Sequence, residues 1–110
     1  MSREYRLFLD DMLKACDKVM RFTRGLSLEQ FQADEKTFDA VMRDLEIIGE
    51  AAKHIPDEMR RQHPGIHWRE ISGFRDIVAH EYFGLDMEVV WDVITRQVPT
   101  LHNQLKRLLD

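Results

Sequence analysis

The stretch RDIVAHEY places Arg75, Asp76, His80 and Tyr82 close together in the chain. These four residues bring a fixed cation, a carboxylate, a titratable base and a phenol to one short segment. A guanidinium stays charged at any working pH, whereas an imidazole changes charge near neutrality. A carboxylate beside that imidazole raises its pKa and fixes its tautomer, the usual arrangement for an acid–base histidine. Asp76 and His80 have the i, i+4 spacing that stacks two side chains on one helical face. Taken alone, D-x-x-x-H is read more economically as a helix-surface hydrogen bond. Arg75 and His80 are five residues apart, about 140° around a regular helix, so within one chain they diverge. They converge if the helix unwinds near His80, or if two subunits meet about a two-fold axis. Tyr82 falls seven residues after Arg75, almost in line with it.

The element carrying this segment is predicted as a helix from Trp68 to Phe83, ending at Gly84. Trp68, Ile71, Phe74, Val78 and Tyr82 gather on one apolar arc, and Arg75 falls inside that arc where a leucine is expected. Ile77 and Phe83 add apolar surface on other sides. A helix apolar on several sides is central or shared with a partner, so this one is placed at a subunit interface.

The elements around it also repeat at helical spacing. Leu9, Met12, Leu13, Cys16, Val19 and Met20 form a first stripe, stopped near Gly25. Ser27 and Gln30 have capping-box spacing for a short helix through Phe31. Asp34 is a good N-cap for the next stripe, Phe38, Val41, Met42, Leu45, Ile48, Ala52 and Ile55, which Pro56 terminates. Gly49 inside that stripe costs about 1 kcal/mol against alanine, a sign of close helix packing. Asp86 starts a last helix through Leu108, with Pro99 inside it producing a kink rather than a break. No alternating strand pattern appears. The fold class is therefore all-α, an antiparallel bundle of four main helices plus one or two short ones.

With 110 residues, the chain fits a single domain over 1–110. Its one cysteine, Cys16, cannot pair internally, which points to a reducing, cytoplasmic setting. No apolar run is long enough for a membrane span, and the N-terminus lacks a signal-like layout. A net charge of −4 speaks against indiscriminate nucleic-acid binding.

RDIVAHEY resembles the R-x4-H-x-Y motif of the HepT-like toxins, within the HEPN ribonuclease superfamily. LEIIGEAAKHIP before it, PGIHWREISGFRD leading into it, and YFGLD with an aliphatic-tryptophan helix after it are similar too. The resemblance runs from about Leu9 to Leu108 and preserves helix order. Asp76 stands where the family usually has a small polar residue. The resemblance implies an HEPN-like homodimer acting as a metal-independent endoribonuclease, with no cofactor. It also implies a nucleotidyltransferase antitoxin (MntA-like) that in some pairs adenylylates the motif tyrosine. Carried over by position, Arg75 and His80 are catalytic, Asp76 supports them, and Tyr82 is the modification site. A catalytically silent or nucleotide-binding partner subunit of a nucleotidyltransferase is the alternative.

Other residues have simpler readings. Pro64-Gly65 separates His63 from His67 and prevents a helical pair, so no metal site is expected. Cys16 belongs to the core, and Trp68 and Trp91 to packing. Glu50 is read as a helix-surface acid. Arg60, Arg61 and Arg69, with His63 and His67 and no acid between Met59 and Arg69, form a basic stretch that could guide a phosphate backbone.

Overall fold

The computed structural model describes residues 4–81 and 86–110, except for the side chains of His80 and Glu81. Among the described residues every regular element is helical. Helix α1 (Glu4–Thr23) buries Leu9, Met12, Ala15, Cys16 and Val19 along one face. It ends where Gly25 adopts φ +79°, the left-handed conformation that closes a helix and that a side chain would strain. Helix α2 (Leu28–Ala33) opens on a complete capping box. Ser27 Oγ accepts from the Gln30 amide at 3.1 Å, and Gln30 Oε1 accepts from the Ser27 amide at 2.9 Å.

Helix α3 (Glu35–Lys53) is capped by Asp34, which accepts from the Thr37 amide at 3.1 Å and its hydroxyl at 2.8 Å. Those hydrogen bonds hold the Asp34 carboxyl below its ordinary pKa. α3 is the central element. It packs against α1 and α2 and against both halves of the motif region, while α1 also packs on the C-terminal helix. Val41, Leu45, Ile48 and Ala52 are fully buried along it, as the sequence periodicity requires.

After Pro56 comes a short helix α4 (Asp57–Gln62). The following Pro64-Gly65 loop is pinned on two sides. Trp68 Nε1 donates to the His63 carbonyl at 3.0 Å, and Gln104 Nε2 donates to the Gly65 carbonyl at 2.9 Å.

Two long helices of the sequence reading are each subdivided. The predicted 68–83 helix is α5 (Trp68–Ser72) and α6 (Phe74–Glu81), separated at Gly73. The Gly73 amide folds back onto the carbonyls of Arg69 and Glu70 in a tightened turn. The last helix is α7 (Met87–Asp92), capped by Asp86, then a π-helical turn (Val93–Gln97) and α8 (Val98–Leu109). Pro99 explains the π turn. Its ring cannot donate and crowds the preceding turn, and widening the hydrogen-bond span by one residue relieves that crowding. The Val98 amide accordingly donates to the Val93 carbonyl, five residues back. Val90, Val93, Ile94, Val98, Leu101 and Leu105 remain one buried line through the turn. No helix among the described residues is long and apolar enough to cross a membrane.

Candidate functional site

Arg75 occupies the first turn of α6, and its surroundings differ from the sequence expectation. Breaking the helix at Gly73 gives α6 a phase of its own. Phe74 and Val78 are buried and Ile77 half-buried, which leaves Arg75 and Asp76 on the exposed side. Arg75 is therefore not a cation displaced into the core. Its side chain is 51% exposed, and Nη1 lies 2.8 Å from Oε2 of Glu50, itself 43% exposed.

The pairing follows from how closely α3 and α6 approach. A Cβ built at Gly49 would lie 2.8 Å from the Arg75 amide nitrogen and 3.2 Å from the Ser72 carbonyl oxygen. Both are backbone atoms, so only glycine fits. Gly49 thus explains its own presence in the cleanest apolar stripe of the chain, and it brings the next residue, Glu50, to the guanidinium. The sequence reading made Glu50 a helix-surface acid, and to that the structure adds its ion pair with Arg75. The available signal was the Gly-Glu pair itself, but its partner could not be known before the helix crossing was.

His80 lies on α6, and the helix continues past it to Glu81. Among the described residues the backbone is therefore helical through His80 to Glu81, with no unwinding before it ends. At 100° per residue the two positions face about 140° apart within a chain. The His80 side chain and all of Tyr82 lie outside the described residues, as does the predicted helix end at Phe83-Gly84. Asp76 is exposed in the first turn of α6, four residues before His80.

The basic stretch divides. Arg60 is half-buried, with Nη2 donating to the Ala52 carbonyl at 2.6 Å and Nε to the Ile55 carbonyl at 3.1 Å. It caps the C-terminus of α3, where a cation is electrostatically welcome. Arg61 and Arg69 are exposed. His67 Nδ1 lies 3.7 Å from Glu70, and no three metal-ligating side chains come together among the described residues. Cys16 is fully buried, and burial pushes its thiol up to about 12, which removes it as a nucleophile at neutral pH. Trp68 is buried, and Trp91 packs its ring 5.4 Å from that of Phe31. A groove of about 350 Å³ between α5 and α8 is lined by His67, Glu70, Asp92 and Arg96, and contains neither Arg75 nor Glu50. Arg75 stands on open surface and not in this groove.

The all-α bundle, with the R-x4-H-x-Y sequence running from Arg75 of α6, fits a class of small helical ribonuclease domains. The match to the model of that class, described as ribonuclease HepT-like, spans residues 12–108, and the chain belongs to this family. It is 42% identical over 108 residues to "Probable ribonuclease HepT" of Thermococcus cleftensis, covering 98% of each chain. It is 39% identical over 104 residues to a provisionally named RNase of Caldanaerobacter subterraneus subsp. tengcongensis, covering 94% of this chain and 93% of that one. A provisionally named RNase of Methanocaldococcus jannaschii is 33% identical over 108 residues, 98% of this chain and 89% of its own length. No solved structure gives a significant match.

Proposed function

We propose that the chain is the toxin of a HepT-type toxin–antitoxin pair, an endoribonuclease that cleaves RNA by attack of its own 2′-hydroxyl. The observation that carries this is Arg75, held half-exposed on the outer side of α6 within the R-x4-H-x-Y motif of the family. In the reaction, the 2′-oxygen loses its proton and bonds to phosphorus, and the bond from phosphorus to the 5′-oxygen breaks. The products are a 2′,3′-cyclic phosphate and a 5′-hydroxyl. Arg75 donates aligned hydrogen bonds to the phosphoryl oxygens, where negative charge builds in the transition state. His80 moves the proton, a contribution of typically ~10²–10⁴-fold. One imidazole cannot take and give a proton at the same moment, so His80 of the partner subunit supplies the second. The direction of α6 supports that division, since Arg75 and His80 diverge along one regular helix. Asp76, four residues before His80, orients it, and the exposed Arg61 and Arg69 guide the backbone. No step requires a bound metal ion or cofactor, and the reaction is assigned to the cytoplasm.

A nucleotidyltransferase antitoxin silences this site by adding AMP to Tyr82. The adduct is a bulky anion close in sequence to the arginine that receives the substrate phosphate. Mass spectrometry of the protein co-expressed with its antitoxin is expected to locate AMP on Tyr82, and an unmodified tyrosine in an inhibited complex contradicts this route. The cleavage itself is tested with purified protein and a single-stranded RNA in excess EDTA. Cyclic-phosphate ends should accumulate, and Arg75→Ala and His80→Ala should each abolish them. Undiminished cleavage by either variant refutes the assignment. Specific activity should also fall on dilution below the concentration at which light scattering detects dimers.

A further inference from the structure

Every catalytic use of Arg75 requires its guanidinium to face the phosphate, yet a long side chain on open surface has many rotamers. We propose that Glu50 is a positioning residue, gripping one edge of the Arg75 guanidinium so that the opposite edge meets the scissile phosphate. The inference rests on the ribonuclease reading above and adds to it a residue outside the motif.

Three observations support it. First, the contact is set by backbone and not by two flexible chains meeting by chance. The residue before Glu50 is the glycine whose Cβ position would lie 2.8 Å from the Arg75 amide nitrogen and 3.4 Å from its Cβ. Second, the fold has little use for the pair. With side chains 51% and 43% exposed, the ion pair contributes little to stability because water screens it. Third, the geometry leaves the arginine able to work. Nη1 is engaged by Glu50 at 2.8 Å, and a guanidinium has five N–H donors in a fixed fork, enough to hold a carboxylate and a phosphate together.

The carboxylate also counters the local field. Arg75 sits in the first turn of α6, the helix end that favours anions, so a carboxylate beside the cation is electrostatically favourable there. An anion beside the substrate phosphate weakens ground-state binding, so Glu50 serves alignment at some expense of affinity. This reasoning predicts separate effects on turnover and on binding.

The test measures kcat and KM on a short single-stranded RNA for wild type, Glu50→Ala, Glu50→Gln, Arg75→Ala and the double variant E50A/R75A. Misaligning a catalytic group by about 1 Å can lower rate about 10²-fold, so E50A should lose about 10- to 100-fold in kcat without a rise in KM. A glutamine oxygen still accepts from Nη1, so E50Q should regain most of kcat, keep the wild-type pH profile and show a lowered KM. The double variant should be no slower than R75A, since Glu50 acts only through the arginine. An E50A enzyme with wild-type kcat, beside an inactive R75A, overturns the positioning role and leaves the ribonuclease reading standing. An E50Q enzyme as slow as E50A, or with a shifted pH profile, overturns it by giving the carboxylate a direct proton-transfer role. A fully active R75A removes the ribonuclease reading itself. Should E50A fail to fold by circular dichroism, the E50Q rate and pH profile decide alone.

Discussion

On α3 two acids six residues apart behave oppositely. Glu50 reaches out to Arg75, whereas Asp44 is turned into the packed interior, where burial raises its pKa above the ordinary 3.8. Lys18, Arg43 and Arg21 oppose that rise and do not cancel it. A carboxyl whose folded pKa is raised favours the folded state while protonated, and that contribution is lost as pH climbs from 3.8 toward the raised value. Asp44→Asn should therefore raise the melting temperature at pH 7. The gain should vanish below pH 4, and melting curves at the two pH values check it. At this scale the sequence was informative about residue types and silent about partners. Arg75 and His80 could be singled out because their chemistry is unusual in a short apolar helix. Glu50 could not, because an acid on a helix is ordinary until its neighbour is known, and Arg60 looked like a ligand for RNA before its carbonyl partners appeared.

At the scale of elements, caps and periodicity were legible because they are local. Ser27, Asp34 and Asp86 cap as their spacing requires, and Gly25 closes α1. The division at Gly73 was not legible, whereas Pro99 marked an irregularity in the last helix without giving its π form. The apolar repeat runs on unbroken through both places, so it signals neither. Gly73 changed the functional reading most, because rephasing α6 moved Arg75 from an apolar arc to the exposed side. The crossing of α3 and α6 is the place to test this fit. Gly49→Ala gains about 1 kcal/mol of helix propensity but drives a methyl into the Arg75 amide and the Ser72 carbonyl. Overpacking of this kind typically costs 1–3 kcal/mol, so a net loss of up to about 2 kcal/mol is expected in urea unfolding. Cleavage by the folded variant should fall further than that loss of stability explains, since α6 must shift to admit the methyl.

For the whole molecule, a net charge of −4 means that RNA affinity depends on where the cations stand. Arg61 and Arg69 are exposed, while Arg60 is engaged on α3, so few phosphate contacts are available from this stretch. Binding of single-stranded RNA by an inactive His80→Ala protein should be modest and should weaken as salt rises. The slope of log affinity against log salt should correspond to about 0.7 per phosphate contacted. Replacing Arg61 and Arg69 with alanine should flatten that slope, and Arg60→Ala should instead lower stability. The backbone contact at Gly49 has one more consequence. Where a glycine lets two helices meet at backbone distance, their spacing at that point is set mainly by the main chain. Core residues elsewhere can then be exchanged for larger or smaller ones without moving the arginine. A glycine at this crossing thus acts as a spacer that sets the reach from the Glu50 carboxylate to the Arg75 guanidinium.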